Sequence, residues 1–153
     1  MTAAFKIRPI ERDDYAQWLP LWAGYNAFYG RSGATALAQR ISETTWERFF
    51  NADEAVHAFV AHDESRMVGI AHCLFHRSTT RLHDVCYLQD LFTAAPFRGQ
   101  GIGRLLIHAV YDAARAHGSN RVYWTTHTTN EAGRALYDKL AQHLGFIVYS
   151  HEL

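Results

Sequence analysis

Hydrophobic and polar positions change period along the chain, and the changes mark its elements. Phe5-Lys-Ile-Arg-Pro-Ile10 alternates apolar and polar residues and reads as an edge strand ending near Pro9. Asp13 and Asp14 are placed to cap the next element. Trp18, Trp22, Tyr25 and Tyr29 then recur at helical spacing, with Pro20 and Gly24 predicting a kink or two short helices. A short helix is expected from Thr35 to Arg40 and another over Glu43 to Phe50. Ala55 to Ala61 and Arg66 to Phe75 are apolar runs joined through His62-Asp-Glu-Ser, a hairpin signature. A second turn at Arg77-Ser-Thr-Thr leads to a strand from Cys86 to Thr93, stopped by Ala94-Ala95-Pro96. Ile102, Leu105, Leu106, Ala109, Val110, Ala113 and Ala114 then form one stripe of an amphipathic helix ending at Gly118. Arg121 to Thr126 reads as a strand, and a strand-helix-strand connection of this length predicts a parallel pair. Asn130 to Leu144 reads as a helix ended by Gly145, and Phe146-Ile-Val-Tyr149 as a closing strand.

Composition narrows the class. The 153 residues, 48% of them hydrophobic, suit a single domain over 1–153 with a sizeable core. Fifteen basic and fifteen acidic residues cancel, so no overall field favours nucleic acid or an anionic membrane, and a small-molecule partner is expected. Cys73 and Cys86 read as reduced core residues, and the stretch from Met1 to Arg8 carries no apolar signal segment. A cytoplasmic protein without a membrane span is the expectation. The ten histidines form no His-Glu-x-x-His pattern. No metal is expected.

The chemistry is concentrated between the strand ending at Thr93 and the helix beginning near Ile102. Gly99, Gly101 and Gly103 leave the backbone open to a ligand, and the first amides of the helix point outward beside Arg98 and Arg104. Such a helix start holds a phosphate or pyrophosphate. Gly103 is followed by Arg104 and Leu105, which excludes a Walker-type Gly-Lys-Ser/Thr ending. A dinucleotide fingerprint needs an acidic residue about twenty positions on, where Gly118, Ser119, Asn120 and Arg121 stand.

Arg98, Gly101 and Gly103 instead match Arg/Gln-x-x-Gly-x-Gly/Ala, which resembles the coenzyme A pyrophosphate loop of the GNAT superfamily of N-acetyltransferases. Asn130 and Tyr137 fit the family's asparagine and helix tyrosine, and the resemblance runs from about Val68 to Tyr149. Tyr87 to Thr93 and Asn130 to Tyr137 look similar to its diamine and histone/polyamine subgroup. The resemblance implies an α/β (α+β) fold with a mixed sheet of about six to seven strands. That sheet would be antiparallel in its N-terminal half, carry a parallel splayed pair, and be flanked by helices. It also implies transfer of acetyl from acetyl-CoA to a primary amine by direct attack in a ternary complex. Family members are often homodimers, so a homodimer is expected by analogy.

On the same resemblance, pantetheine would lie along Leu91, Phe92 and Thr93, where a backbone amide would face the thioester oxygen. The pyrophosphate would sit over Arg98, Gly99, Gln100, Gly101, Ile102, Gly103 and Arg104. Asn130 and Lys139 would reach the coenzyme, and Tyr137 would be the acid for the departing thiolate. A thiol pKa of about 8.5 against about 10 for tyrosine makes that help modest. Similar enzymes often carry a glutamate where Gln89 stands, and an amide accepts no proton. Asp90 is the candidate base, although strand alternation turns it to the opposite face unless a bulge re-aims it. His83, His127, Glu131 or a water chain are the alternatives. Trp22, Tyr25, Tyr29 and Gln89 are candidate acceptor contacts, the rings holding an amine by cation–π contact or serving simply as core. Asp13, Asp14, Glu43, Glu47, Asp53 and Glu54 read as a solvated face or as an amine-attracting rim. A protein-lysine acceptor and a non-catalytic acyl-CoA-binding module are the competing functions.

Overall fold

A computed structural model describes residues 4–153, so the opening Met1-Thr2-Ala3 of the stretch read for a signal segment lies outside the described residues. Strands β1 (Lys6–Pro9), β2 (Val56–His62), β3 (Met67–His76), β4 (Val85–Thr93) and β5 (Val122–Tyr123) form one sheet in that order. The first four are antiparallel and β4–β5 is parallel. Helix α1 (Tyr15–Phe28) and α2 (Gln39–Arg48) cover one face, while α3 (Ile102–His117) and α4 (Glu131–Leu140) come after the glycine loop.

The two faces explain why β2 and β3 are mostly apolar. On one, Leu106, Ile107 and Val110 of α3 pack on Cys73, Phe75, Cys86 and Leu88. On the other, Trp18, Trp22 and Tyr25 of α1 and Trp46 of α2 pack on Val60 and Ile70. A strand covered on both sides has no polar face to alternate with. Complete burial of Trp18, the largest fully buried side chain, removes its whole indole surface from water, which is stabilising by roughly 25 cal/mol per Å².

Several expectations are corrected. Among the described residues the sheet has five strands, not six or seven. Phe146 to Tyr149 forms no strand: these residues stand 82, 71, 73 and 88% exposed, because a strand-like pattern yields a strand only where a partner edge is available. The last helix stops at Leu140 rather than Leu144, with Ala141 already extended. α1 runs unbroken through Pro20 instead of splitting. The segment 33–35 is a 3₁₀ turn, and one helix from Gln39 to Arg48 replaces the two expected there. Asp14 caps no α-helix: it accepts from the Glu11 amide and from Arg8.

The parallel pair forms as expected, but its second strand is only Val122–Tyr123 rather than Arg121 to Thr126, and this shapes the site. Pairing is confined to Cys86↔Val122 and Tyr87↔Tyr123. Beyond Tyr87 the two chains part, and the edge of β4 that faces away from β3 is left without a neighbouring strand.

Candidate active site

Backbone geometry builds the first part of the site. Gly99 and Gly101 sit at φ +77° and +84°, a region that side chains disfavour, and a Cβ on either would meet nothing within 4 Å. The left-handed turn directs the amides of Gly99 to Arg104 away from the protein, and none has an acceptor among the described residues. Gly103 serves another purpose. A Cβ there would approach Leu136 Cδ2 at 3.2 Å, so its smallness brings α3 and α4 together.

These amides border a cleft of about 580 Å³ whose lining includes Leu91, Phe92, Thr93, Arg98, Gly99, Gly101, Ile102, Gly103, Arg104, Asn130, Tyr137 and Lys139. Gln100 is absent from it. Free amides at a helix start and an adjoining apolar channel suit a diphosphate with a long thin tail. Two of the expected ligand groups are engaged internally. Arg98 donates Nε–H to the Thr93 carbonyl at 3.1 Å. Asn130 is the N-cap of α4, accepting from the Gly133 amide at 3.2 Å and donating to Thr126 Oγ1 at 2.9 Å.

On the other side of the splay lies a second cleft of about 830 Å³, bordered by Tyr25, Tyr29, Arg31, His72, Gln89 and Asp90, among others. Gln89 and Asp90 both reach it because β4 is bulged. Opposite His72 stands Asp90 and opposite Cys73 stands Leu88, so Gln89 is the extra residue. The bulge re-aims Asp90, and its carboxylate is held 7% exposed.

His72 fixes that carboxylate. An indole can only donate, so at 3.0 Å Trp18 Nε1–H must give its proton to His72 Nε2. The remaining ring nitrogen, Nδ1, therefore carries the hydrogen and donates to Asp90 Oδ2 at 2.9 Å. Both nitrogens of the neutral ring are engaged, so His72 has no free lone pair. Of the other candidate bases, His127 borders this cleft, whereas His83 and Glu131 border neither.

Between the clefts is a constriction of about 20 Å³, lined in part by Tyr25, Tyr29, Gln89, Leu91 and Tyr137. That volume is about one water's worth of room. Burial pushes the Tyr137 hydroxyl up to about 12. Burial and then the Asp90 charge raise Tyr25, whose hydroxyl lies 3.4 Å from the Gln89 carbonyl. Trp22 borders this second cleft but is mostly core, its indole donating to Ser42 Oγ at 3.0 Å.

Of the two readings of the acidic residues, the amine-attracting rim does not form along this cleft. Asp14 pairs with Arg8, Glu47 with Arg12 and Glu54 with Arg48. The pattern of the sequence also hides His72, Trp18 and Arg31 as site residues. Only the β3–β4 register brings His72 opposite Asp90, and no local signal carries that register.

Comparison with known proteins agrees with this architecture. The model of the acetyltransferase (GNAT) family matches residues 16–141. A D-amino-acid N-acetyltransferase of Saccharomyces cerevisiae is 30% identical over 94% of this chain and 88% of its own length. Among solved structures, the aminoglycoside N-acetyltransferase AAC(6')-Iy, bound to a bisubstrate analogue containing CoA, superposes with a TM-score of 0.83 at 16% identity, covering 99% of each chain. A ribosomal-protein-alanine N-acetyltransferase of Brucella melitensis biovar Abortus superposes with a TM-score of 0.75 at 21% identity, covering 98% of this chain and 100% of the other.

Proposed function

Because the chain belongs to the acetyltransferase (GNAT) family, we propose that it moves the acetyl group of acetyl-CoA to a primary amine of a small molecule by direct attack in a ternary complex. The observation that carries this reading is the meeting of the two clefts at one constriction bordered by Tyr29 and Tyr137. The unpaired amides of Gly99 to Arg104, with Arg104 and Lys139 beside them, would hold the pyrophosphate. The open edge of β4 at Leu91 to Thr93 would hold the pantetheine arm. Acetyl-CoA, when bound, supplies an activated thioester carbonyl.

The chain's own residues then handle two protons. An amine with a pKa of about 10 arrives as ammonium. Asp90 takes its proton, with His72 holding the accepting carboxylate in place and the Trp18 indole holding His72. The nitrogen–carbon bond forms, the carbon–sulfur bond breaks with the sulfur keeping the electron pair, and the attacking nitrogen sheds its second proton, which the departing thiolate takes to leave as free thiol. Tyr137 hydrogen-bonds that sulfur. With its own pKa near 12 it is a weak acid, so its contribution is mainly electrostatic.

A cleft of about 830 Å³ suits a metabolite-sized acceptor. The relative named for D-amino acids and the structural neighbours named for aminoglycosides both support a small amine. Mixing the protein with acetyl-CoA and an amine panel, and following free thiol, tests the reading. Thiol release with an amine supports transfer. Calorimetric coenzyme binding with no release for any amine would leave a binding module, and absence of binding would remove the coenzyme site as well.

Two copies are also proposed to associate through the end of the chain. Phe146 to Tyr149 carries apolar, strand-forming residues with no partner in this chain among the described residues, and β5 presents an outer edge only two residues long. A second copy would supply what each lacks.

A further inference from the structure

We propose that Arg31 anchors the acceptor by its carboxylate, so that the amines this protein acetylates are amino acids or other amino-carboxylates rather than polyamines or aminoglycosides. The inference rests on the acetyl-transfer reading and names the substrate class of that same site.

Arg31 lies just beyond α1 and borders the acceptor cleft. Its backbone amide donates to the Asn26 carbonyl at 2.8 Å, and its Nε–H donates to Asn26 Oδ1 at 2.7 Å. Asn26 is 4% exposed and is itself fixed, because its Nδ2 donates to the Trp22 carbonyl at 2.9 Å. One edge of the guanidinium is thus tied to a rigid, buried amide. The two terminal nitrogens have no hydrogen-bond or carboxylate partner among the described residues. Arg8, Arg12, Arg48 and Arg66 each have an acidic neighbour within 4.0 Å.

A guanidinium held through Nε, with its two terminal nitrogens free, presents a fork that matches the two oxygens of a carboxylate. Its carbon lies 5.9 and 5.7 Å from the ring centres of Tyr25 and Tyr29. Those are the rings expected to receive an amine, and a resident cation already occupies that neighbourhood. The same two tyrosines feel the opposite charge of Asp90, so the cleft carries a negative group and a positive group around one pair of rings. An amino-carboxylate complements both charges: its ammonium meets Asp90 and its carboxylate meets Arg31. A polyamine or an aminoglycoside would bring a second cation against Arg31 with no carboxylate of the rim to offset it.

The test compares wild type, Arg31→Gln and Arg31→Lys by steady-state thiol release. The acceptors are the D and L forms of alanine, methionine and phenylalanine, their primary amides, and spermidine, with acetyl-CoA affinity measured on each protein by calorimetry. Using the acid-to-amide ratio of kcat/KM cancels the lower amine pKa of the amides. Wild type is expected to acetylate at least one acid and to favour it over spermidine. Arg31→Gln should lower kcat/KM for the acids about 10- to 100-fold, the range for a charge-assisted pair of hydrogen bonds. Amide turnover and coenzyme affinity should stay within about threefold, and Arg31→Lys should recover part of the loss. Equal losses on acid and amide, or a wild type that prefers spermidine, would overturn the assignment of Arg31 while leaving the transferase intact. Coenzyme binding without thiol release for any acceptor would instead reject the transferase reading, and this inference with it.

Discussion

His72 donates from Nδ1 to Asp90 Oδ2 at 2.9 Å directly across the β3–β4 ladder, at the point where that ladder is bulged. The bond joins a residue with no catalytic motif around it to the one carboxylate that borders the larger cleft among the described residues. Its direction is set from behind by the Trp18 indole, which can only donate. With Nε2 accepting from the indole, Nδ1 is the nitrogen that points its N–H at Asp90 and keeps that carboxylate aimed.

Replacing Asp90 by Asn keeps the shape and removes the proton acceptor. Turnover should fall by about 10²-fold or more, within the span usual for general acid–base groups, with coenzyme affinity retained. A pH–rate profile of the variant that overlays wild type would eliminate Asp90 as the base.

In the proposed mechanism His72 acts through Asp90, as a positioning residue. His72→Gln is expected to shift the acid limb of the pH–rate profile and to lower kcat less than Asp90→Asn does. A variant that merely melts earlier, with an unmoved profile, would show that His72 serves packing alone.

Tyr137→Phe should lower kcat by an amount near the bottom of the roughly 10²- to 10⁴-fold range, because a hydroxyl with a pKa near 12 transfers its proton poorly to a thiolate. Raised above its unfolded value of about 10, Tyr137 contributes stability that is whole below pH 10 and is lost as pH rises towards 12. Chemical denaturation between pH 9 and about 11.5 should therefore show a flatter alkaline decline in the phenylalanine variant. Wild-type turnover in that variant would remove Tyr137 from the chemistry.

The glycines should separate by function. Gly101→Ala forces a side chain into a left-handed backbone at a strain of about 1–2 kcal/mol and should weaken coenzyme binding measurably by calorimetry. Gly103→Ala presses on Leu136 at 3.2 Å and should lower the melting temperature. The opposite pattern would contradict the assignment of the amides between Gly99 and Arg104 to the diphosphate.

Arg8 forks onto Asp14 at 2.7 and 2.9 Å, and this partner holds the carboxyl below its usual value of 3.8. The stabilisation is complete above that value and disappears as pH falls through the depressed pKa. Asp14→Asn should cost about 1–3 kcal/mol near neutrality, and the difference from wild type should shrink below pH 4 in urea titrations. A gap that persists unchanged in acid would mean that the ion pair is not its source.

Much of this protein was legible as sequence because much of it is local. A glycine in a left-handed turn, the 3.6-residue stripe from Ile102 to Ala114 and the parallel crossover from β4 to β5 come from backbone sterics and chain length, which neighbouring residues set by themselves. Those signals predict the glycine turn and the helix start beside it, whereas the expected coenzyme contacts and Tyr137 come from the resemblance to the acetyltransferase family. Tertiary structure alone decided the cleft proposed for the acceptor. The aim of Asp90 depends on a bulge that is a relation between two strands, and the proton on His72 depends on an indole 54 positions away in the chain. The idle fork of Arg31 exists because Asn26 is buried beneath it. Phe146 to Tyr149 shows the converse: residues suited to a strand remain exposed and outside the sheet, since hydrogen-bonding a strand takes two edges and local propensity provides only one.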